Sequence, residues 1–167
     1  YYDNLTGLPN RQLLMDLLGT AVATSQRTHQ RGALMFIDLD DFKTFNDTQG
    51  HAAGDALLRM VARRLKQCVR ASDVVARLGG DEFVVVLQDI EHADAVTAMA
   101  QRIRTSLAQP LMIDGQQLRV GASIGMASYP ADGATPDALL ARADQMMYEI
   151  KRGGKAAPAA GERAAMA

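Results

Sequence analysis

The chain has 167 residues, enough for one ordinary domain with its own core, and its 18 basic and 19 acidic residues leave a net charge of −1. Apolar residues make up 48% and charged residues 22%, an ordinary globular balance. With no global basic excess a nucleic-acid polymer is not expected as partner, so any phosphate binding must come from a local cluster of Lys and Arg. The longest apolar runs (33–37 and 83–87) are about five residues, against the roughly 20 that span a bilayer, so no membrane contact is expected.

No signal peptide is visible, and the lone Cys68 sits in an apolar helical pattern that predicts a buried structural thiol. A reducing, cytoplasmic setting follows, either for a free protein or for the cytoplasmic part of a membrane protein. The chain does not open on Met and reads as a piece of a longer protein.

Taken in order, Pro9 and Asn10 precede a helix over 10–25 with Leu13, Leu14, Leu17 and Leu18 on one face. Residues 33–38 (ALMFID) predict a buried strand ending in acid. A polar loop over 41–50 closes at Gly50, and a helix over 52–69 presents Leu57, Leu58, Val61, Leu65 and Val69. Strand 74–78, turn 79–82 and strand 83–88 form a hairpin, followed by a helix over 92–108. Strands at 111–113 and 118–128 join through Asp114-Gly115. Thr135 caps a last helix that starts at Pro136, presents Leu139, Leu140, Ala143 and Met147, and stops at Gly153-Gly154. Residues 156–167 predict a flexible tail or a linker to another domain. The order predicts an α+β fold, a split βαβ sheet that is mostly antiparallel with helices packed on it.

Two acidic stations end strands. Alternation puts Asp38 and Asp40 on one face, and Asp81-Glu82 sits at the hairpin beside Gly79-Gly80. Each alone reads as a solvated strand end. Together, four carboxylates on neighbouring strand ends would repel one another unless a cation sat between them, and magnesium with substrate phosphates suits such a set. No Walker-type loop and no dinucleotide fingerprint occurs. Lys151 and Lys155, at the end of the last helix, suit either phosphate or the helix dipole.

These residues lie in segments that resemble the GGDEF family of diguanylate cyclases. Its signature is intact at Gly79-Gly80-Asp81-Glu82-Phe83, and DNLTGLPNR (3–11), FIDLDDFKTFNDTQGHAAGD (36–55) and ADQMMYEIKRGGK (143–155) also match. The resemblance covers residues 1–155. It implies a ferredoxin-like, palm-type, nucleotide-cyclase-like sheet and the joining of two GTP molecules into cyclic di-GMP and pyrophosphate. It implies a Mg2+ ion, with Mn2+ as an alternative, held by Asp38, Asp81 and the Leu39 carbonyl. Glu82 would deprotonate or orient the attacking 3′-hydroxyl, and Lys43, Lys151 and Lys155 would hold the triphosphate. Asn46 and Asp55 would read guanine; Asp55 is expected to be buried, so that ATP would leave it unpaired. Lys155 and Ala156 stand where the family often has Arg then Asn, which keeps the charge and loses the bidentate fork. Arg70 and Asp73 resemble an RxxD motif at which the product inhibits, with Arg102 as a further contact.

The resemblance also implies a homodimer and attached sensory or phosphodiesterase domains. The rival from another class is a non-catalytic regulatory domain that binds GTP or cyclic di-GMP. An adenylate-type cyclase is a third reading, disfavoured by Asn46 and Asp55.

Overall fold

The computed structural model describes residues 1–153. Lys155 and the proposed tail over 156–167 lie outside the described residues. The elements run α1 (Arg11–Thr28), β1 (Arg31–Leu39), α2 (Phe42–Gln49), α3 (His51–Cys68), β2 (Val74–Gly79), β3 (Glu82–Ile90), α4 (Ala93–Leu107), β4 (Leu111–Ile113), β5 (Gln116–Leu118), β6 (Ala122–Tyr129) and α5 (Pro136–Gly153).

Four strands form the main sheet in the order β2-β3-β1-β6, every neighbouring pair antiparallel. Strands β1 and β2 are parallel to each other with β3 inserted between them, which is the split βαβ arrangement expected from the sequence. Central β1 is apolar along nearly its whole length because both its faces are covered. Ala33, Met35, Ile37 and Leu39 meet Leu57, Val61 and Leu65 of α3 and Ile103 and Leu107 of α4. Leu34 and Phe36 meet Leu14 and Leu18 of α1 and Leu139, Ala143 and Met147 of α5. The sheet is thus the middle of three layers.

Four expectations are corrected. Residues 42–49 are a helix and not a loop: Phe42 and Phe45, three apart, pack on the core and draw this polar stretch into helical form. The hairpin turn is only Gly80-Asp81, because Gly79 pairs with Glu82 and β3 begins there. The expected strand 118–128 does not run through: only Leu118 belongs to β5, which pairs with β4 in a separate ribbon, residues 119–121 are in no strand, and β6 alone joins the main sheet. The buried face of α1 is Leu14, Leu18, Ala21 and Val22, while Leu17 is exposed.

Helix α5 lies unusually close to β6. A Cβ on Gly125 would come within 2.0 Å of the Ala143 carbonyl and 2.3 Å of the Met147 nitrogen, so only glycine permits this approach. The last turns of α5 are thereby carried to the end of β1 where Asp38 and Leu39 sit.

Candidate active site

Asp38 lies one residue from the end of β1 and pairs across the sheet with Glu82, the first residue of β3. Both side chains share the face covered by α1 and α5. The turn is tied to β1 by the main chain, since Leu39 N donates to Asp81 O at 3.2 Å. Gly79 and Gly80 have φ of 142° and 49°, which suit glycine and let the chain reverse within two residues.

The Asp81 carboxylate stands within hydrogen-bonding reach of Asp38. Burial first, and then Asp81, push the Asp38 carboxyl up to about 7 despite the opposing Lys151 charge. While both acids are ionised neither can donate, and Asp38 Oδ1 is buried without a hydrogen-bond partner. Glu82 is also pushed up to about 7, by burial and then by the charges of Asp38 and Asp144, with Arg11 and Lys151 opposing.

A divalent cation fits this donor set: two carboxylates, one of them with an orphaned buried oxygen, and the Leu39 carbonyl. Among the described residues no group of three or more His, Cys, Asp or Glu side chains is gathered to cage a metal. Asp40 stands slightly apart, its Oδ1 accepting from Ser123 Oγ at 2.8 Å, and is bound into β6 rather than free for a metal.

Lys151 of α5 reaches into the same place. Its Nζ lies 2.9 Å from Asp38 Oδ2, 3.2 Å from Leu39 O and 3.9 Å from Asp40 Oδ1. The expected triphosphate lysine therefore rests on the acids.

Lys43 is exposed on α2. Asn46, also on α2, seats its amide against Gly54 of α3, where a Cβ would clash at 1.8 Å. Asn46 Oδ1 is buried and unpartnered. Asp55, the next residue after Gly54, is exposed rather than buried, and α3 begins at His51, so Asp55 falls outside the first turn. The expected burial fails for it; a bound base would have to supply the desolvation.

At the RxxD segment, Arg70 is exposed and Asp73 is wholly buried. Asp73 Oδ2 accepts from Arg70 N at 3.0 Å and Oδ1 from Gln88 N at 3.2 Å. It fixes the turn before β2, and acceptance from a guanine would require its buried carboxylate to be uncovered. Arg102 is exposed on α4, on an open groove of about 550 Å³ with Gln67, Cys68 and Gln109.

Sequence reasoning gave no role to Arg77. Its Nη1 donates to Asp3 Oδ1 at 2.8 Å, while Nε and Nη2 donate to Gly80 O at 3.0 and 2.9 Å. Asp3 also accepts from Thr6 N and Oγ1 at 2.8 and 2.7 Å. Burial works against its ionisation, but these bonds and the Arg77 charge hold its carboxyl below the usual range. The matched segments DNLTGLPNR and RLGGDEF are thus physically joined, a pairing that their separation in sequence concealed.

An antiparallel sheet of this order, with acids gathered at one end of its two central strands, defines a nucleotide-cyclase-like domain. Residues 1–157 match the model of the family "Diguanylate cyclase, GGDEF domain", and the chain belongs to that family. It is 47% identical over 154 residues to the bifunctional diguanylate cyclase/cyclic di-GMP phosphodiesterase MucR of Pseudomonas aeruginosa, covering 92% of this chain and 22% of that protein. It is 41% identical to the diguanylate cyclase TpbB of the same species, covering 91% of this chain and 35% of TpbB. The chain thus spans well under half the length of these curated relatives. Among solved structures, the TpbB GGDEF domain superposes with a TM-score of 0.90 at 38% identity, covering 100% of both chains. The GGDEF domain of DgcB from Caulobacter crescentus, solved in complex with c-di-GMP, gives 0.83 at 31% identity, covering 92% of this chain and 91% of that one.

Proposed function

We propose that this domain is a diguanylate cyclase that condenses two GTP molecules into cyclic di-GMP and pyrophosphate. The observation that carries the reading is the crowding of Asp38 and Asp81 at adjoining strand ends, with Asp38 Oδ1 buried and unpartnered. Two acids kept so close favour a divalent cation between them. Asp38, Asp81 and the Leu39 carbonyl would hold Mg2+ or Mn2+. When bound, the ion neutralises phosphate charge and lowers the pKa of the attacking hydroxyl.

The protein's own groups do the rest. Glu82, with its carboxyl near neutrality, is suited to accept the 3′-hydroxyl proton or to orient that hydroxyl. Lys43 and Lys151, with Lys155 beyond the described residues, hold the triphosphate. Asn46 and Asp55 present oxygen acceptors to guanine N1–H and N2–H. Adenine offers no such pair of donors. Each domain holds one GTP, so two domains must face each other for each hydroxyl to meet the other's α-phosphorus.

Arg70 and Arg102 supply exposed guanidinium groups for cyclic di-GMP as an inhibitor, and Asp73 sets the backbone that carries Arg70. The domain works in the cytoplasm, where GTP is available, and takes its input from attached sensory or phosphodiesterase domains, in keeping with the lengths of its relatives.

Purified protein freed of bound nucleotide, incubated with GTP and Mg2+, is expected to yield cyclic di-GMP and pyrophosphate on chromatography. Activity per molecule should rise with protein concentration, and ATP should not be turned over. No product from a demonstrated dimer would instead favour a GTP- or cyclic di-GMP-binding regulatory domain. NbdA, 38% identical over this region, is named only as a cyclic di-GMP phosphodiesterase.

A further inference from the structure

We infer that Lys151 is a resident stand-in for the divalent cation, one that must leave before the metal can bind and that is then handed to the triphosphate. The inference rests on the proposed metal position at Asp38, Leu39 and Asp81.

The Lys151 ammonium lies 2.9 Å from Asp38 Oδ2 and 3.2 Å from Leu39 O, with Asp40 Oδ1 at 3.9 Å. A carboxylate oxygen and a main-chain carbonyl oxygen together are also the kind of pair a hard cation takes. Both atoms belong to the proposed metal set. The lysine is three-quarters buried here, its side chain 24% exposed, beside an Asp38 side chain that is 16% exposed. It is not a loose surface charge that happens to point this way.

A monovalent ammonium and a divalent ion cannot share the same two oxygens. At separations of a few ångströms in a partly buried setting their repulsion is large. Metal alone therefore has to expel Lys151 from its anionic partners into solvent, and its binding is opposed. Metal arriving with a triphosphate meets a different balance, because the released ammonium finds phosphate oxygens in place of Asp38. Lys151 makes the two ligands favour each other, so the site resists free metal and loads the metal together with its nucleotide. Departure of pyrophosphate lets the lysine return. The long lysine side chain can change place by rotation about its own bonds, with α5 kept in its close seat at Gly125.

The test is Mn2+ binding, followed by the ion's paramagnetic resonance signal, with and without a non-hydrolysable GTP analogue. Lys151→Met, which keeps the length and removes the charge, should bind Mn2+ alone at least about tenfold more tightly than the unaltered protein. The enhancement of Mn2+ binding by the analogue should shrink in the same variant. Unchanged or weaker binding of Mn2+ alone by Lys151→Met would overturn the inference. Asp38→Asn separates the two ideas: if it retains Mn2+ affinity, the metal position itself is wrong, whatever Lys151 does.

Should Lys151→Met fail to fold, the unaltered protein answers the question through lysine acetylation read by mass spectrometry. Lys151 labelling should rise on adding Mn2+ and fall again with the analogue. Labelling indifferent to Mn2+ would equally overturn the inference.

Discussion

Asp55 stands exposed on α3, two residues past the buried Ala53 and directly after Gly54, against which Asn46 is seated. Nothing in the fold leans on its carboxylate, so its removal should leave stability within about 0.5 kcal/mol. Its loss from a bound guanine is another matter, because hydrogen bonds to a charged acceptor contribute about 1.5–3 kcal/mol. Asp55→Ala is therefore expected to weaken GTP binding roughly tenfold or more with an unchanged melting temperature. Calorimetric titration beside thermal unfolding checks this, and a parallel loss of both would assign Asp55 a structural role instead. Arg77 is the contrasting residue. Its guanidinium joins Asp3 to the Gly80 carbonyl at 2.8–3.0 Å and is largely buried. Arg77→Ala should lower the melting temperature and loosen the Gly80-Asp81 turn together, in the range of a few kcal/mol expected when a partly buried charged partner is left alone.

At the scale of elements, the approach of α5 to β6 sets where Lys151 falls. Gly125→Ala would drive a methyl into the Ala143 carbonyl at 2.0 Å, and the overpacking should destabilise by about 1–3 kcal/mol. The shift of α5 should also lengthen the Lys151–Asp38 contact, which a crystal structure of the variant would reveal. The main elements were legible because their patterns are strong: the nearly continuous apolar run of β1, the Leu57, Leu58, Val61 and Leu65 stripe of α3, and the Thr135-Pro136 start of α5. Helix α2 was not, because FKTFNDTQ carries only the partly buried Phe42 and Phe45 as an apolar stripe and no side chain caps its start. The separate β5 and the late start of β6 at Ala122 were hidden because β5 is three residues long and its exposed Gln116 and Gln117 give no alternation.

The whole molecule gathers its acids from β1 and the β2–β3 turn, a helix pair over Asn46 and Asp55, and a lysine from the far end of the chain. The acids themselves were readable as strand ends. Contacts that depend on tertiary closeness, such as Lys151 on Leu39 O, were not, because no local pattern spans 112 residues. That assembly has a consequence for the metal-free protein as a unit. The Asp38 and Glu82 carboxyls are raised to about 7 from ordinary values of 3.8 and 4.5. Between those limits the native state holds protons that the unfolded chain has released. The stability these groups contribute is therefore full below about pH 4 and is lost as pH rises through 7. Asp3, lowered from 3.8, acts in the opposite sense, and its contribution fades only as pH falls below that value. Between about pH 5 and pH 8 in the presence of a chelator, the melting temperature should thus fall more for the unaltered protein than for Asp38→Asn. Added Mg2+ competes with those protons, so it should raise the melting temperature more at the alkaline end than at the acidic end. A chelated protein whose stability climbs across that window, with Asp38→Asn following the same curve, would mean that the two acids are not held together against their charge.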